Sequence, residues 1–299
     1  MSDGVVILAG PTASGKSELA ISLAVRFDAE IVGADSRQIY RGMPIGTAAP
    51  SPEQLARVPH HLIGFLDPAE RYSAARYASD ALAAIHEIRR RRKRAIVVGG
   101  TGFYIRALLG GVELAPQYDE TLRRRLTQEA TLHPPEFLHA WLERRDATRA
   151  AALHPSDTYR VARALEVVLA QPIRSEPLPS LASEGLDSLL IFLDLPRAEL
   201  DRRIAQRTER MLAAGLIEEA ERIGDSAVAA SAVGYPQALA YLRGWSTLAE
   251  LRASLERATR RYASRQRAWF RAEPSTLWCV PESVDAAVRE KLAWPTKRD

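Results

Sequence analysis

Residues Gly10-Pro-Thr-Ala-Ser-Gly-Lys-Ser17 directly follow the apolar run Val5-Val-Ile-Leu-Ala9, and this junction decides the fold. The spacing Gly-x-x-x-x-Gly-Lys-Ser predicts a loop between a buried strand and a helix. Its glycines let backbone N–H groups curl round an anion, its lysine reaches that anion, and its hydroxyl suits Mg²⁺. The loop therefore marks a polyphosphate site, without saying whether the polyphosphate is an energy source, a donor or a leaving group.

Further strand-like runs at 30–34, 95–98 and 189–193 alternate with helical stretches near 15–27 and 73–92, the pattern of a mostly parallel sheet. The expected fold class is α/β: a P-loop NTPase-like parallel sheet flanked by helices, with an inserted all-helical domain. The insertion is the Arg-, Ala-, Leu- and Glu-rich stretch after Glu113, which has helical spacing and no convincing strand. The expected division is a core over 1–112, a helical insertion over 113–187, and core completion with C-terminal helices over 188–299. A proline-punctuated linker, Pro172 to Gly185, closes the insertion. A short strand at 276–280 and a helix near 283–292 end the chain.

Composition bounds the rest. The 299 residues are 46% hydrophobic and 26% charged, which excludes disorder and leaves room for one large domain with a satellite. One cysteine, Cys279, makes neither an internal disulfide nor a thiolate zinc set. With no secretion signal and no apolar run of membrane-spanning length, the expected location is the cytoplasm. A net charge of +4 with clustered arginines favours an acidic partner.

Two further segments should share a rim with the phosphate loop, because strand C-termini of a parallel sheet lie together. Asp35, in Gly33-Ala-Asp-Ser-Arg-Gln-Ile-Tyr40, is read either as a Mg²⁺ ligand or general base, or as a cap of the following turn. Gly99-Gly-Thr-Gly102 offers N–H and O–H donors where phosphate-hydrolysing enzymes often carry an acidic metal ligand, or else makes a tight turn.

The basic segments divide. Arg89-Arg-Arg-Arg-Lys-Arg94 sits at a helix C-terminus on the opposite rim and is read as a solvated helix end. In Arg257 to Arg271, Arg257, Arg261 and Arg265 repeat every four residues near Tyr262, Trp269 and Phe270. That segment is either an RNA-facing surface, since cations pair with phosphates and rings stack on bases, or a core-packed helix with wet arginines. Arg160 and Arg163, and the cluster Arg123–Arg125, are candidate phosphate clamps or solvated faces. One arginine among Arg202, Arg203, Arg207 and Arg210 is expected to reach the polyphosphate. His60-His61 has no companion ligands and is read as structural.

Together these segments resemble the tRNA dimethylallyltransferase family, also called tRNA isopentenyltransferases. The likeness runs through Gly10–Ser17, Asp35–Tyr40, Gly46-Thr-Ala-Ala-Pro50, His60-His-Leu62, Gly99–Ile105, Asp157–Glu166, Val233-Gly-Tyr235 and Arg265-Gln-Arg-Ala-Trp269, nearly the whole chain. It implies transfer of a dimethylallyl group from dimethylallyl diphosphate to the exocyclic amine of the adenosine beside the tRNA anticodon, with Mg²⁺ and without ATP turnover. It implies Asp35 as general base and Thr101 as a second catalytic group. Gly10, Thr12, Ala13, Ser14, Gly15, Lys16, Ser17 and Arg207 would hold the diphosphate, with Ser17 also on the metal. It places tRNA contacts at Asp35, Ser36, Arg37, Gln38, Thr101, Arg123, Tyr159, Arg160, Val161, Ala162, Arg163, Ser231, Ala232, Val233, Gly234, Tyr235 and Pro236.

Pro236 stands where family members more often carry arginine, and Ser264 and Ala268 replace the commoner Lys and Thr. The zinc-finger extension of eukaryotic relatives is absent. A monomer without membrane or obligate protein partner is expected. The alternatives are an adenylate isopentenyltransferase acting on free nucleotide, a P-loop small-molecule kinase, and an RNA-binding NTPase.

Overall fold

The computed structural model describes residues 4–111, 120–169, 179–225 and 227–296. In chain order the elements begin β1 (Val5–Ala9), α1 (Lys16–Phe27), β2 (Ala29–Ala34), α2 (Pro44–Thr47), α3 (Pro52–Arg57), β3 (His60–His61), α4 (Ala74–Arg90), β4 (Arg94–Gly99) and α5 (Gly102–Leu109). Four helices follow: α6 (Glu120–Leu132), α7 (Pro135–Glu143), α8 (Ala147–Ala151) and α9 (Thr158–Leu169). The chain ends with β5 (Ser188–Leu193), α10 (Arg197–Ala213), α11 (Leu216–Ile223), α12 (Tyr235–Leu242), α13 (Leu248–Arg271), β6 (Leu277–Cys279) and α14 (Val284–Leu292).

The six strands form one parallel sheet in the order β3-β2-β4-β1-β5-β6. Every residue of β1 and β2 is buried, as expected for strands covered on both faces. Alternation along the strands sends side chains to two cores. Val5, Ile7, Ala9, Val97, Leu190 and Phe192 pack with Tyr77, Ile85 and Ile88 of α4, Ile105 of α5 and Phe270 of α13. Val6, Leu8, Ile96, Val98 and Ile191 pack with Ile21, Ala24 and Phe27 of α1 and Val288 of α14. Registers pairing Ala9 and Ala34 each with Gly99 bring the ends of β1, β2 and β4 side by side.

The chain divides into two compact units: Met1–Val112 with Pro179–Asp299, and Glu113–Leu178. Residues 179–187, expected within the insertion, group with the sheet unit: Leu181 is fully buried and its N–H donates to Leu108 O at 2.8 Å. The linker expected from Pro172 lies outside the described residues as far as 178. The smaller unit has its own core, from Leu126 of α6, Leu138 and Leu142 of α7, Ala150 of α8, and Val161 and Leu165 of α9.

In the arginine run at 89–94, Arg90, Arg91 and Arg92 are exposed, as a solvated helix end should be, while Arg91 and Arg94 also bond to neighbouring segments. Burial disfavours the Glu30 carboxylate, but the Arg91 guanidinium, donating to both its oxygens at 3.1 and 2.7 Å, and His61 at 2.8 Å hold its pKa below the ordinary value. Arg94 donates to Phe27 O at 2.6 Å. His60 and His61 form β3, a two-residue edge strand that no periodicity announces. Among the described residues no group of three His, Cys, Asp or Glu side chains is placed to hold a metal, and no helix is long and apolar enough to cross a membrane.

Candidate functional site

The phosphate loop leaves β1 at Gly10 and enters α1 through Gly15, whose φ of 86° is left-handed backbone that glycine adopts without strain. Lys16 opens the helix, so its first N–H groups and its dipole face the loop. Burial withdraws the Lys16 ammonium from water and pulls its pKa down to about 8; Asp35 opposes that shift and the neighbouring Arg207 adds to it. Arg207 is itself lowered by burial, against the pull of Asp35. Two desolvated cations beside one carboxylate are the electrostatic signature of a site for a polyanion.

Asp35 follows the last residue of β2. Its Oδ1 accepts from Arg37 N at 2.9 Å, so the turn-capping role is real. Its Oδ2 has no hydrogen-bond partner among the described residues, so the cap leaves one oxygen for chemistry. Thr101 begins α5 beside it. The Thr101 N–H is spent on Ala34 O at 3.2 Å, and its hydroxyl accepts from Ser36 N at 2.9 Å. Tyr262 of α13 lies near Thr101, and burial holds the Tyr262 phenol far above its ordinary pKa. The loop 99–102 is thus less donor-rich than its sequence implies, since the Thr101 hydroxyl also donates to Ser36 Oγ at 3.3 Å.

Two clefts meet here. One, of about 580 Å³, is lined by Gly15, Lys16 and Ser17, by Ile45 and Ala48, and by Arg202, Arg203, Arg207 and Arg210 of α10. The other, of about 200 Å³, is lined by Asp35, Ser36, Arg37, Val233, Tyr262 and Arg265 among others. Arg207 and Met211 border both. Arg207 donates to Thr47 O at 3.4 Å, and Arg203 to Ser14 O at 3.1 Å. Arg203 therefore joins Arg207 at the phosphate loop, a pairing spacing does not reveal.

The segment 44–49 is fixed by a buried carboxylate. Glu219 of α11 accepts from Ile45 N at 3.0 Å, Gly46 N at 2.7 Å and Tyr235 Oη at 2.8 Å. Gln38 donates to Thr47 O and Ala48 O at 3.2 and 3.0 Å, so its amide secures the same segment.

The remaining expected residues separate by exposure. Tyr235 is fully buried, and Ala232 and Gly234 are buried beside it, while Ser231 and Pro236 are exposed. Arg37 donates to Ser231 Oγ at 3.1 Å. In the smaller unit Val161 is core, Ala162 is half-buried, and Arg123 and Arg163 both pair with the buried Glu166. Tyr159 and Arg160 are outward, with the Tyr159 ring 66% exposed and the Arg123 guanidinium 5.8 Å from its centroid.

Residues 257–271 pack on the core through one face of α13 and leave the arginines on another. Ala263, Gln266 and Phe270 are buried, while Arg257, Arg261 and Arg265 are exposed. Gln266 is the residue sequence reasoning missed: its carboxamide accepts from Thr12 N at 2.8 Å and donates to Gly100 O at 3.0 Å. A lone glutamine on an otherwise apolar helix face, one turn after Tyr262, is the available signal.

Fold and site define a phosphate-loop α/β protein that sets a polyphosphate cleft beside a second cleft bearing one carboxylate. A family model described as IPP transferase matches residues 38–273. The chain belongs to the IPP transferase family. It is 45% identical to a tRNA dimethylallyltransferase of Geobacter sulfurreducens over 94% of each chain. It is 46% identical to one of Anaeromyxobacter dehalogenans, over 96% of this chain and 98% of that one. The solved full-length tRNA isopentenylpyrophosphate transferase of Bacillus halodurans superposes with a TM-score of 0.70 at 34% identity, over 97% of this chain and 96% of its own. A eukaryotic dimethylallyltransferase acting on tRNA shares the fold, with a TM-score of 0.77 at 23% identity over 100% of this chain and 82% of that one.

Proposed function

We propose that the chain transfers a dimethylallyl group from dimethylallyl diphosphate to the exocyclic N6 amine of the adenosine 3′-adjacent to the anticodon in tRNA. The observation that carries this reading is the junction of the two clefts: Asp35 lines the cleft bordered by Tyr262 and Arg265, that cleft shares Arg207 and Met211 with the cationic phosphate cleft, and Asp35 acts electrostatically on Lys16.

The acceptor amine is conjugated with the adenine ring and is a poor nucleophile. As its nitrogen bonds the allylic carbon, that carbon's bond to oxygen breaks and the electron pair leaves on diphosphate. Asp35 takes the amine proton through Oδ2, while Arg37 N–H holds Oδ1 and fixes the carboxylate's orientation. Lys16, Arg203 and Arg207 supply cationic density where the leaving oxygens gain charge. Thr101, whose hydroxyl accepts from Ser36 N, would act as the second group near Asp35.

The residues fit Mg²⁺. Ser17 lines the phosphate cleft in the first turn of α1, where its hydroxyl would hold Mg²⁺ together with water and diphosphate oxygens. When bound, Mg²⁺ neutralises charge on the diphosphate. The adenine must turn outward from the anticodon loop, which costs a few kcal/mol and less for an unpaired base. Tyr159, Arg160, Arg37, Ser231 and Arg265 offer the exposed rings, cations and hydroxyl that grip RNA. Both clefts lie within one unit of one chain, which supports a monomer. The test is incubation with labelled dimethylallyl diphosphate, Mg²⁺ and either unmodified tRNA or AMP. Label is expected in tRNA; label in AMP alone would overturn the reading.

A further inference from the structure

Three side chains on one face of α13, at positions i, i+4 and i+7, meet three consecutive residues after β4. The Tyr262 side chain lies near Thr101. Gln266, 5% exposed, donates to Gly100 O at 3.0 Å. Trp269 lies so close to Gly102 that a Cβ there would sit 2.2 Å from its ring, and a Cβ on Gly100 would sit 2.0 Å from Gln266 Nε2. The helix is therefore seated on this loop as closely as backbone allows.

Gln266 alone also reaches the phosphate loop, accepting from Thr12 N at 2.8 Å. The two partners fix which end of the carboxamide is oxygen, since reversal would face N–H against N–H and O against O. The bond also removes the Thr12 N–H from the anion's reach, leaving the loop's later N–H groups to bind it.

We propose that Gln266 is a positioning residue for the transfer reaction: by bridging Thr12 N–H and Gly100 C=O it sets the distance between the diphosphate loop and the Thr101 hydroxyl. It touches neither substrate. Both loops leave adjacent strands, Thr101 is held besides by Ala34 O and Ser36 N, and among the described hydrogen bonds this amide alone ties Thr12 to Gly100. The inference rests on the functional reading above, so the experiment includes a readout that needs no turnover.

The variants are Gln266→Met, similar in length without polar groups, and Gln266→Glu, which keeps the acceptor for Thr12 and loses the donor to Gly100. Inorganic diphosphate with Mg²⁺ is titrated calorimetrically into each, alongside steady-state kinetics for both substrates. Gln266→Met is expected to bind diphosphate about 10-fold more weakly and to lose about 100-fold in kcat, the cost of misplacing reacting groups by about an ångström, with KM for tRNA within twofold. Gln266→Glu is expected between the two; if Gln266→Met fails to fold, it carries the test. Diphosphate affinity and kcat within threefold of the unaltered chain would overturn the proposal. So would a loss in which KM for tRNA moves as far as diphosphate affinity, the mark of a merely structural role. If the unaltered chain binds no diphosphate, the reading of the loop falls and the proposal with it.

Discussion

Replacing Glu219 with methionine removes the acceptor that holds the segment 44–49 and leaves the backbone nearly unchanged in volume. Glu219 is 1% exposed and receives three donors, the N–H groups of Ile45 and Gly46 and the Tyr235 hydroxyl, at 3.0, 2.7 and 2.8 Å. A buried donor without an acceptor costs about 1–3 kcal/mol. The three share one partner, the hydroxyl can rotate, and loss of the buried charge returns part of its desolvation cost, so the sum falls well below three independent penalties. The expected destabilisation is about 3 kcal/mol. Urea unfolding would show it as a lower midpoint at unchanged slope, because the surface exposed on unfolding is the same. Glu219→Gln keeps an acceptor oxygen for Gly46 and should recover roughly half. Because Thr47 O receives Arg207 and Gln38, donor KM should rise in parallel. A loss below about 1 kcal/mol at unchanged slope would refute the assignment of Glu219 as the anchor.

Three further outcomes follow from the same geometry. Lys16 has a folded pKa near 8 against 10.5 for the free side chain, so its charge is lost as pH rises through about 8; donor KM should climb above that pH, and Lys16→Arg should flatten the profile. The same shift makes stability rise from pH 8 to 10.5, since the unfolded chain binds the extra proton there. Asp35→Asn should keep tRNA affinity within threefold while kcat falls by about 10²–10⁴, and near-normal turnover would remove Asp35 as base. Arg91→Ala should leave tRNA affinity within twofold. It should raise the pH midpoint of acid unfolding, because the stability from Glu30's lowered pKa is whole above its ordinary 4.5 and lost as pH falls through the folded value.

What the sequence disclosed was whatever is contiguous. The phosphate loop, Asp35 and 99–102 each carry their chemistry in a few adjacent residues, and parallel-strand topology alone places them on one rim. The helical character of 120–169 was equally legible, because α6 to α9 repeat their apolar residues at helical spacing. The hidden parts are bonds between distant segments. Gln266 and Thr12 are 254 positions apart, and Glu219 and Gly46 are 173 apart. In the run at 89–94, Arg90, Arg91 and Arg92 are exposed as its place at a helix end suggests, and only the pairing of Arg91 with Glu30 of β2 is hidden for the same reason. Arg257, Arg261 and Arg265 are exposed beside the buried Gln266 and Phe270, and an exposed arginine row reads the same in sequence whether water or RNA faces it.

The central claim is that the phosphate loop of Gly10–Ser17 draws off a leaving group and powers nothing with a nucleotide. The most direct measurement follows diphosphate release and ATP hydrolysis in the same reaction, with dimethylallyl diphosphate, Mg²⁺, ATP and tRNA present or withheld. The account expects diphosphate release to require tRNA and to match, mole for mole, the dimethylallyl label fixed on adenosine, with ATP untouched. Label transfer that depends on ATP hydrolysis, or ATP hydrolysis stimulated by tRNA without label transfer, would contradict it.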